Sequence, residues 1–198
     1  MPTSLRLATF NLENLDDKPT EKPALAVRLP YLRQALVRLR ADVLCLQEVN
    51  GQEPATGPRT LAALGTLVAG TPYEFFHLTH TKTVTGVPYD ARNLVVLSRF
   101  PILQTQQIRS TEGMPLYRKV TAQPLELEAK RVEWERPLLV VQLDQGGGLV
   151  LHVINVHLKS KLPSDIPGQQ KDQYTWRSAS GWAEGYFLSS MKRVGQAH

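Results

Sequence analysis

The chain has 198 residues, with 23 Lys and Arg against 18 Asp and Glu, a formal charge of +5. Apolar residues at 42% and charged residues at 21% form an ordinary globular mix, which excludes a disordered, collagen-like or coiled-coil chain. No apolar run approaches the roughly 18 residues of a membrane span, and the lone Cys45 excludes an internal disulfide and the multi-cysteine zinc spacings. Met1-Pro2-Thr3-Ser4 leads straight into a strand-like segment, so no secretory signal is expected and the expected location is cytoplasmic. The mild positive charge is compatible with a phosphate-bearing partner without specifying one.

Leu5 to Glu13 reads as a strand, with Leu5, Leu7, Thr9, Asn11 and Glu13 on one face and Arg6, Ala8, Phe10 and Leu12 on the other. A polar, proline-rich loop follows from Asp16 to Pro23. Leu25, Leu29, Leu32, Leu36 and Leu39 make one helical stripe, which Pro30 interrupts, so the firm helix is expected to begin there. Arg33, Arg38 and Arg40 fall off the stripe and are expected in solvent. Ala41 to Val49 is a second strand, apolar on both faces at Val43-Leu44-Cys45-Leu46, the pattern of a strand buried between layers.

A short helix is expected over Thr60–Val68, strands over Tyr73–Thr79 and Asn93–Ser98, a turn at Arg99-Phe100-Pro101 and a weak strand over Gln104–Thr111. Leu138–Leu143 and Leu149–Leu158 read as strands joined through Asp144-Gln145-Gly146-Gly147-Gly148, a hairpin signal. Lys159–Gly181 is polar and without periodicity; segments of that length without structure are usually functional or disordered. Ala183, Phe187, Met191 and Val194 return to helical spacing, and Trp182 and Tyr186 read as core contacts of that helix. Its stripe runs almost to His198 without a stop signal, which suggests a chain cut within a helix. The whole is read as one domain, 1–198, truncated at its C-terminus.

Polar residues gather at the C-terminal ends of three strands: Asn11 and Glu13, Gln47 and Glu48, Asn155 and His157. Ligands of layered α/β proteins collect outside such ends. Each residue alone is more often a capping or solvent contact. Together, if the strands are neighbours of one direction, they place a carboxylate, amides and an imidazole around one point. One carboxylate with amide oxygens suits Mg²⁺ or Mn²⁺ that keeps waters and takes phosphate oxygens. An imidazole beside it can support charge on a phosphoryl group. Lys159 and Lys161 follow His157 and can add to that field.

Five blocks resemble the endonuclease/exonuclease/phosphatase superfamily, in its order: Leu5-Arg6-Leu7-Ala8-Thr9-Phe10-Asn11-Leu12-Glu13-Asn14-Leu15, Ala41-Asp42-Val43-Leu44-Cys45-Leu46-Gln47-Glu48-Val49, Asn93-Leu94-Val95-Val96-Leu97-Ser98-Arg99-Phe100-Pro101-Ile102, Val153-Ile154-Asn155-Val156-His157-Leu158-Lys159-Ser160 and Arg193-Val194-Gly195-Gln196. The second and fourth blocks are the specific ones. The resemblance implies an α/β fold of deoxyribonuclease-I type, a four-layer sandwich with two packed mixed sheets, incomplete in this chain. It implies hydrolysis of phosphodiester or phosphomonoester bonds with Mg²⁺ or Mn²⁺. By the match, Glu48 ligates the metal with Asn11, while His157, Asn11 and Asn155 form the catalytic set. His157 and Lys159 would contact the substrate phosphate. Asn93 and Ser98 lie in a matching block but read as core strand, and Glu13 has no role in the pattern.

Nucleic acid is the first expectation for the substrate, and phospholipid or inositol-phosphate head groups the second. The superfamily's later G-D-F-N and S-D-H blocks, which position and activate the attacking water, do not occur in the 198 residues. Orientation and proton transfer each contribute orders of magnitude to such reactions. A non-catalytic relative that binds phosphate-bearing ligands or a partner is therefore the alternative.

Overall fold

The computed structural model describes residues 4–113, 115–172 and 174–197. In chain order it contains β1 (Leu7–Leu15), α1 (Leu25–Leu39), β2 (Val43–Val49), α2 (Ala62–Val68), β3 (His77–His80), β4 (Asn93–Ser98), β5 (Ile102–Ile108), β6 (Tyr117–Arg118), β7 (Lys130–Arg131), β8 (Leu138–Gly146), β9 (Leu149–Asn155) and α3 (Ala179–Ala197). The fold is mixed α/β, as expected. The chain divides into two compact units, 1–107 with 138–157, and 108–137 with 158–198.

The first unit is layered. One sheet has the order β1-β2-β4-β3, with β1 parallel to β2 and the other pairs antiparallel. The other sheet has the order β5-β8-β9. The two-sided apolar run of β2 explains the layering. Leu44 and Leu46 join Leu36 of α1 and Leu64 and Leu67 of α2 in one core, whereas Val43 and Cys45 join Leu139, Val141 and Val153 of the other sheet in a second. Both sets are buried almost completely, and each large side chain so removed from water contributes about 2 kcal/mol. Burial pushes the Cys45 thiol up to about 11, which keeps it protonated and unreactive.

Several local expectations need correction. Helix α1 begins at Leu25 and runs through Pro30 rather than starting there. Its first two turns are held by Leu25, Leu29 and Leu32, which pack on the core and offset the missing proline N–H. Arg33 is not a solvated side chain: its Nε and Nη2 donate to the carbonyls of Leu67 (3.1 Å) and Thr66 (2.6 Å), which the end of α2 leaves without helical partners. The segment 73–79 divides into a 3₁₀ turn, Pro72–Phe75, and the short β3. Pro72 opens that turn, and Thr71 caps it by accepting from the Tyr73 N–H. The Tyr73 hydroxyl then donates to Leu36 O (2.9 Å) and accepts from Ala41 N–H (3.0 Å), pinning the end of α1. The β8–β9 hairpin closes as expected, through Gly146, Gly147 and Gly148, all at φ between 64° and 82°.

The second unit has little regular structure beyond the two-residue ladder of β6 with β7 and the helix α3. Its core is small: Val120, Ala122, Val132, Ile166 and Leu188. Polar side chains do much of the holding. Glu184 accepts from Thr121 N–H and hydroxyl and from Ala122 N–H at 2.7–2.8 Å. Gln169 donates to the carbonyls of Ala122 and Pro124. The Arg193–Gln196 pair, read as a family block, has the same kind of role: Arg193 donates to Ser160 O and Gln196 accepts from Lys159 N–H, each at 2.9 Å. Trp182 and Tyr186 are not core contacts; they are 46% and 44% exposed and stack on each other with ring centroids 5.6 Å apart. His198, just beyond the helical stripe, lies outside the described residues. No helix among the described residues is long and apolar enough to cross a membrane.

Candidate active site

Side-chain alternation in β2 would send Glu48 to the helix-facing side, into the layer of Leu44 and Leu46. A β-bulge prevents this. Leu46 pairs with Val95 and Val49 with Asn93, so Gln47 and Glu48 together stand against Leu94. Val49 takes the next place in the leucine layer, and Glu48, at φ 59°, is turned outward. Strand β1 bulges at the same level. Asn11 pairs with Gln47 and Leu15 with Val49, which sets Leu12, Glu13 and Asn14 against Glu48 alone. Glu13 and Asn14 take φ of 47° and 52°. Left-handed backbone at a non-glycine residue costs about 1 kcal/mol or more and gathers where function requires it.

The double bulge surrounds the Glu48 carboxylate with donors. Asn11 Nδ2 donates to Oε1 (3.2 Å) and Asn14 N–H donates to Oε2 (3.1 Å). His157 brings Nε2 to 3.4 Å from Oε1. The side chains of Glu48 and His157 are 17% and 19% exposed, partly desolvated yet open to a ligand. Asn11 Oδ1 in turn accepts from Glu13 N–H (2.8 Å), which fixes the amide. The three strand tips thus meet, though they are not three neighbours in one sheet: β1 and β2 are paired, while His157 follows β9 of the other sheet.

Asn155 lies deeper. It is 2% exposed, donates to Leu46 O (3.0 Å) and Val95 O (2.9 Å), and accepts from Gln47 Nε2 (2.7 Å). Gln47 also donates to Thr9 Oγ1 (3.0 Å). This pair pins one sheet to the other directly beneath the Glu48 bulge, so Asn155 supports the site and does not line its surface. Lys159 belongs to the second unit, where its ammonium is 3.5 Å from Ser160 Oγ. Asn93 is fully buried and binds Val49 O and Tyr89 O, in keeping with a core role.

Two residues of the site were not legible in the sequence. Asn14 closes the bulge over Glu48. Arg92, just ahead of β4, donates from Nε to Asn14 Oδ1 (3.2 Å) and from its backbone N–H to Asn50 Oδ1 (2.8 Å). Asn50 Nδ2 and Gln52 Nε2 each donate to the buried Asp16 carboxylate at 3.0 Å. Asparagine after an apolar strand is a weak signal for left-handed backbone; nothing in the local sequence marks Arg92.

Among the described residues, no three His, Cys, Asp or Glu side chains cluster closely enough to hold a metal ion by themselves. What the site offers is one carboxylate beside an amide. That donor set fits a hard divalent cation that keeps much of its water and takes substrate oxygens, and it does not fit a zinc or copper centre.

Residues 8–173 match the model of the Endonuclease/Exonuclease/phosphatase family, and the chain belongs to that family. Its members are hydrolases of phosphoester bonds, generally dependent on a divalent metal, and share a deoxyribonuclease-I-like fold. No curated protein is matched. Solved structures with similarity include an endonuclease/exonuclease/phosphatase family protein from Leptotrichia buccalis C-1013-b, at 13% identity over 90% of this chain, with a TM-score of 0.47. Humanized D. rerio TDP2 is 20% identical over 79% of the chain (TM-score 0.47). The 3′ phosphatase NExo from Neisseria, bound to a product DNA hairpin, is 15% identical over 96% (TM-score 0.40). The chain spans 60%, 48% and 51% of those proteins, respectively.

Proposed function

We propose that this chain carries the metal-binding and phosphate-binding side of a divalent-metal-dependent phosphoesterase acting on nucleic acid. The observation that supports this most is the Glu48 carboxylate, turned out of a leucine layer by a bulge and bracketed by Asn11 at 3.2 Å and His157 at 3.4 Å. Glu48 would hold Mg²⁺ or Mn²⁺, with the Asn11 amide steadying its carboxylate. The bound ion would supply Lewis-acid polarisation of the phosphoryl oxygen. His157, as imidazolium or with Nε2 protonated, donates to a non-bridging phosphate oxygen and stabilises charge that grows there. Asn155 and Gln47 keep the sheets in register so that these groups hold their spacing.

The 198 residues hold no G-D-F-N or S-D-H block to activate the attacking water. Turnover by these residues alone is therefore expected to be slow. The second reading is a phosphate-ester binder without turnover. Hydrolysis of bis(p-nitrophenyl) phosphate in Mg²⁺ and in EDTA tests the choice. The enzyme reading expects Mg²⁺-dependent release of nitrophenol that disappears in Glu48→Gln. Release that persists in EDTA, or in Glu48→Gln, overturns it. Binding of oligonucleotide with no release supports the second reading.

A further inference from the structure

We propose that Arg92 is a phosphate anchor of this site, gripping two non-bridging oxygens of a nucleic-acid phosphate with the fork of its guanidinium. The inference rests on the phosphoesterase reading above and names a contact that reading does not need.

Three features carry it. Arg92 is exposed and sits at φ 60°, a conformation that costs an arginine what it would not cost a glycine. The backbone is locked there by Asn50, itself bound to the buried Asp16. The guanidinium is tethered through Nε to Asn14, whose own N–H holds Glu48 Oε2. This aims the side chain at the carboxylate site by two short steps. Finally, among the described residues no acidic group pairs with Arg92, and neither terminal nitrogen has a hydrogen bond.

Arg28 provides the contrast. Its terminal nitrogens donate to Leu12 O and Asn14 O, so its charge is committed to holding the β1 bulge. Arg92 spends only Nε on the protein. A guanidinium held by Nε presents Nη1 and Nη2 as a parallel pair, the geometry that matches two phosphate oxygens. Pre-organisation lowers the entropy cost of that contact.

The test uses the full chain and a short fluorescein-labelled oligothymidylate, in EDTA so that no hydrolysis occurs, with anisotropy read across a salt series. Arg92→Gln keeps a donor for Asn14 but removes the charge. It is expected to weaken binding about tenfold and to reduce the slope of log Kd against log salt by about 0.7, one phosphate contact on a single strand. Arg92→Lys keeps charge without the fork, so it should retain the slope while losing affinity. Wild-type affinity and slope in Arg92→Gln overturn the anchor and leave the Glu48 reading intact. Weaker binding at an unchanged slope, with a lowered melting temperature, means a structural tether and also overturns it. Absence of binding by the unsubstituted chain overturns the anchor, while the Glu48 reading is still decided by nitrophenol release.

Discussion

The two units of this chain solve the same folding problem by different means. The first buries long strands on both faces, so Leu44, Leu46, Val43 and Leu139 are removed from water completely and position is set by packing. The second has strands of two residues and a small buried core, and relies on Glu184 and Arg193 to tie loops to a helix and on Gln169 to tie one loop to another. The contrast teaches where chemistry can be placed. A bulge that costs strain is sustainable only where surrounding layers over-determine the backbone, and the first unit has that surplus.

Core truncation should expose the difference most strongly. Leu44→Ala, in the middle of two packed layers, is expected to cost the first unit about 3 kcal/mol, whereas Leu188→Ala in the smaller core should cost about 2 kcal/mol because its surroundings can collapse. Hydrogen exchange, which resolves the units separately, measures both. Equal losses would erase the distinction between a packed unit and a tied one.

Acid should act on the ties. Burial alone would push the Glu184 carboxyl up, but hydrogen bonds from the Thr121 hydroxyl and the N–H groups of Thr121 and Ala122 outweigh it and hold it below the usual range. A carboxyl lowered by folding contributes stability above its unfolded value, about 4.3, and loses it as pH falls through the folded one. Protection in the second unit is therefore expected to fall below about pH 4, and Glu184→Gln to flatten that fall. An unchanged acid limb in the variant removes Glu184 from the account.

The smallest expected effect concerns strain. At most positions glycine destabilises relative to alanine. At position 48 the order should reverse: Glu48→Gly is expected to melt above Glu48→Ala by about 1 kcal/mol, since both lose the carboxylate and only one relieves the left-handed backbone. If alanine is equal or better, the bulge is unstrained.

How much of this was legible in advance follows the same division. Period-two and two-sided apolar patterns located β1, β2, β4, β8 and β9, because buried strands must alternate or run apolar. The blocks around Glu48 and His157 pointed to strand tips that the fold brings together. Alternation alone could not place Glu48, since it assigns that residue to the leucine layer; the insertion that turns it outward is a property of pairing with β1 and β4. Arg92 was hidden for the same reason, its role arising from contacts with residues 14 and 50. Helix α1 ran through Pro30 because packing of Leu25 and Leu29 outweighed local propensity. The second unit left little periodic trace, as its ties are single hydrogen bonds between distant residues.

The paired irregularity in β1 and β2 also makes length, not only identity, a heritable constraint at this spot. Removing one residue from 47–48 would restore an unbroken ladder with β4 and keep Val49 in the leucine layer, but it would leave a single residue against Leu94, so that an acid would either be lost or stand in the place of Gln47. A lost codon here would thus regularise the hydrogen bonding while taking the Glu48 carboxylate away from Asn11 and His157.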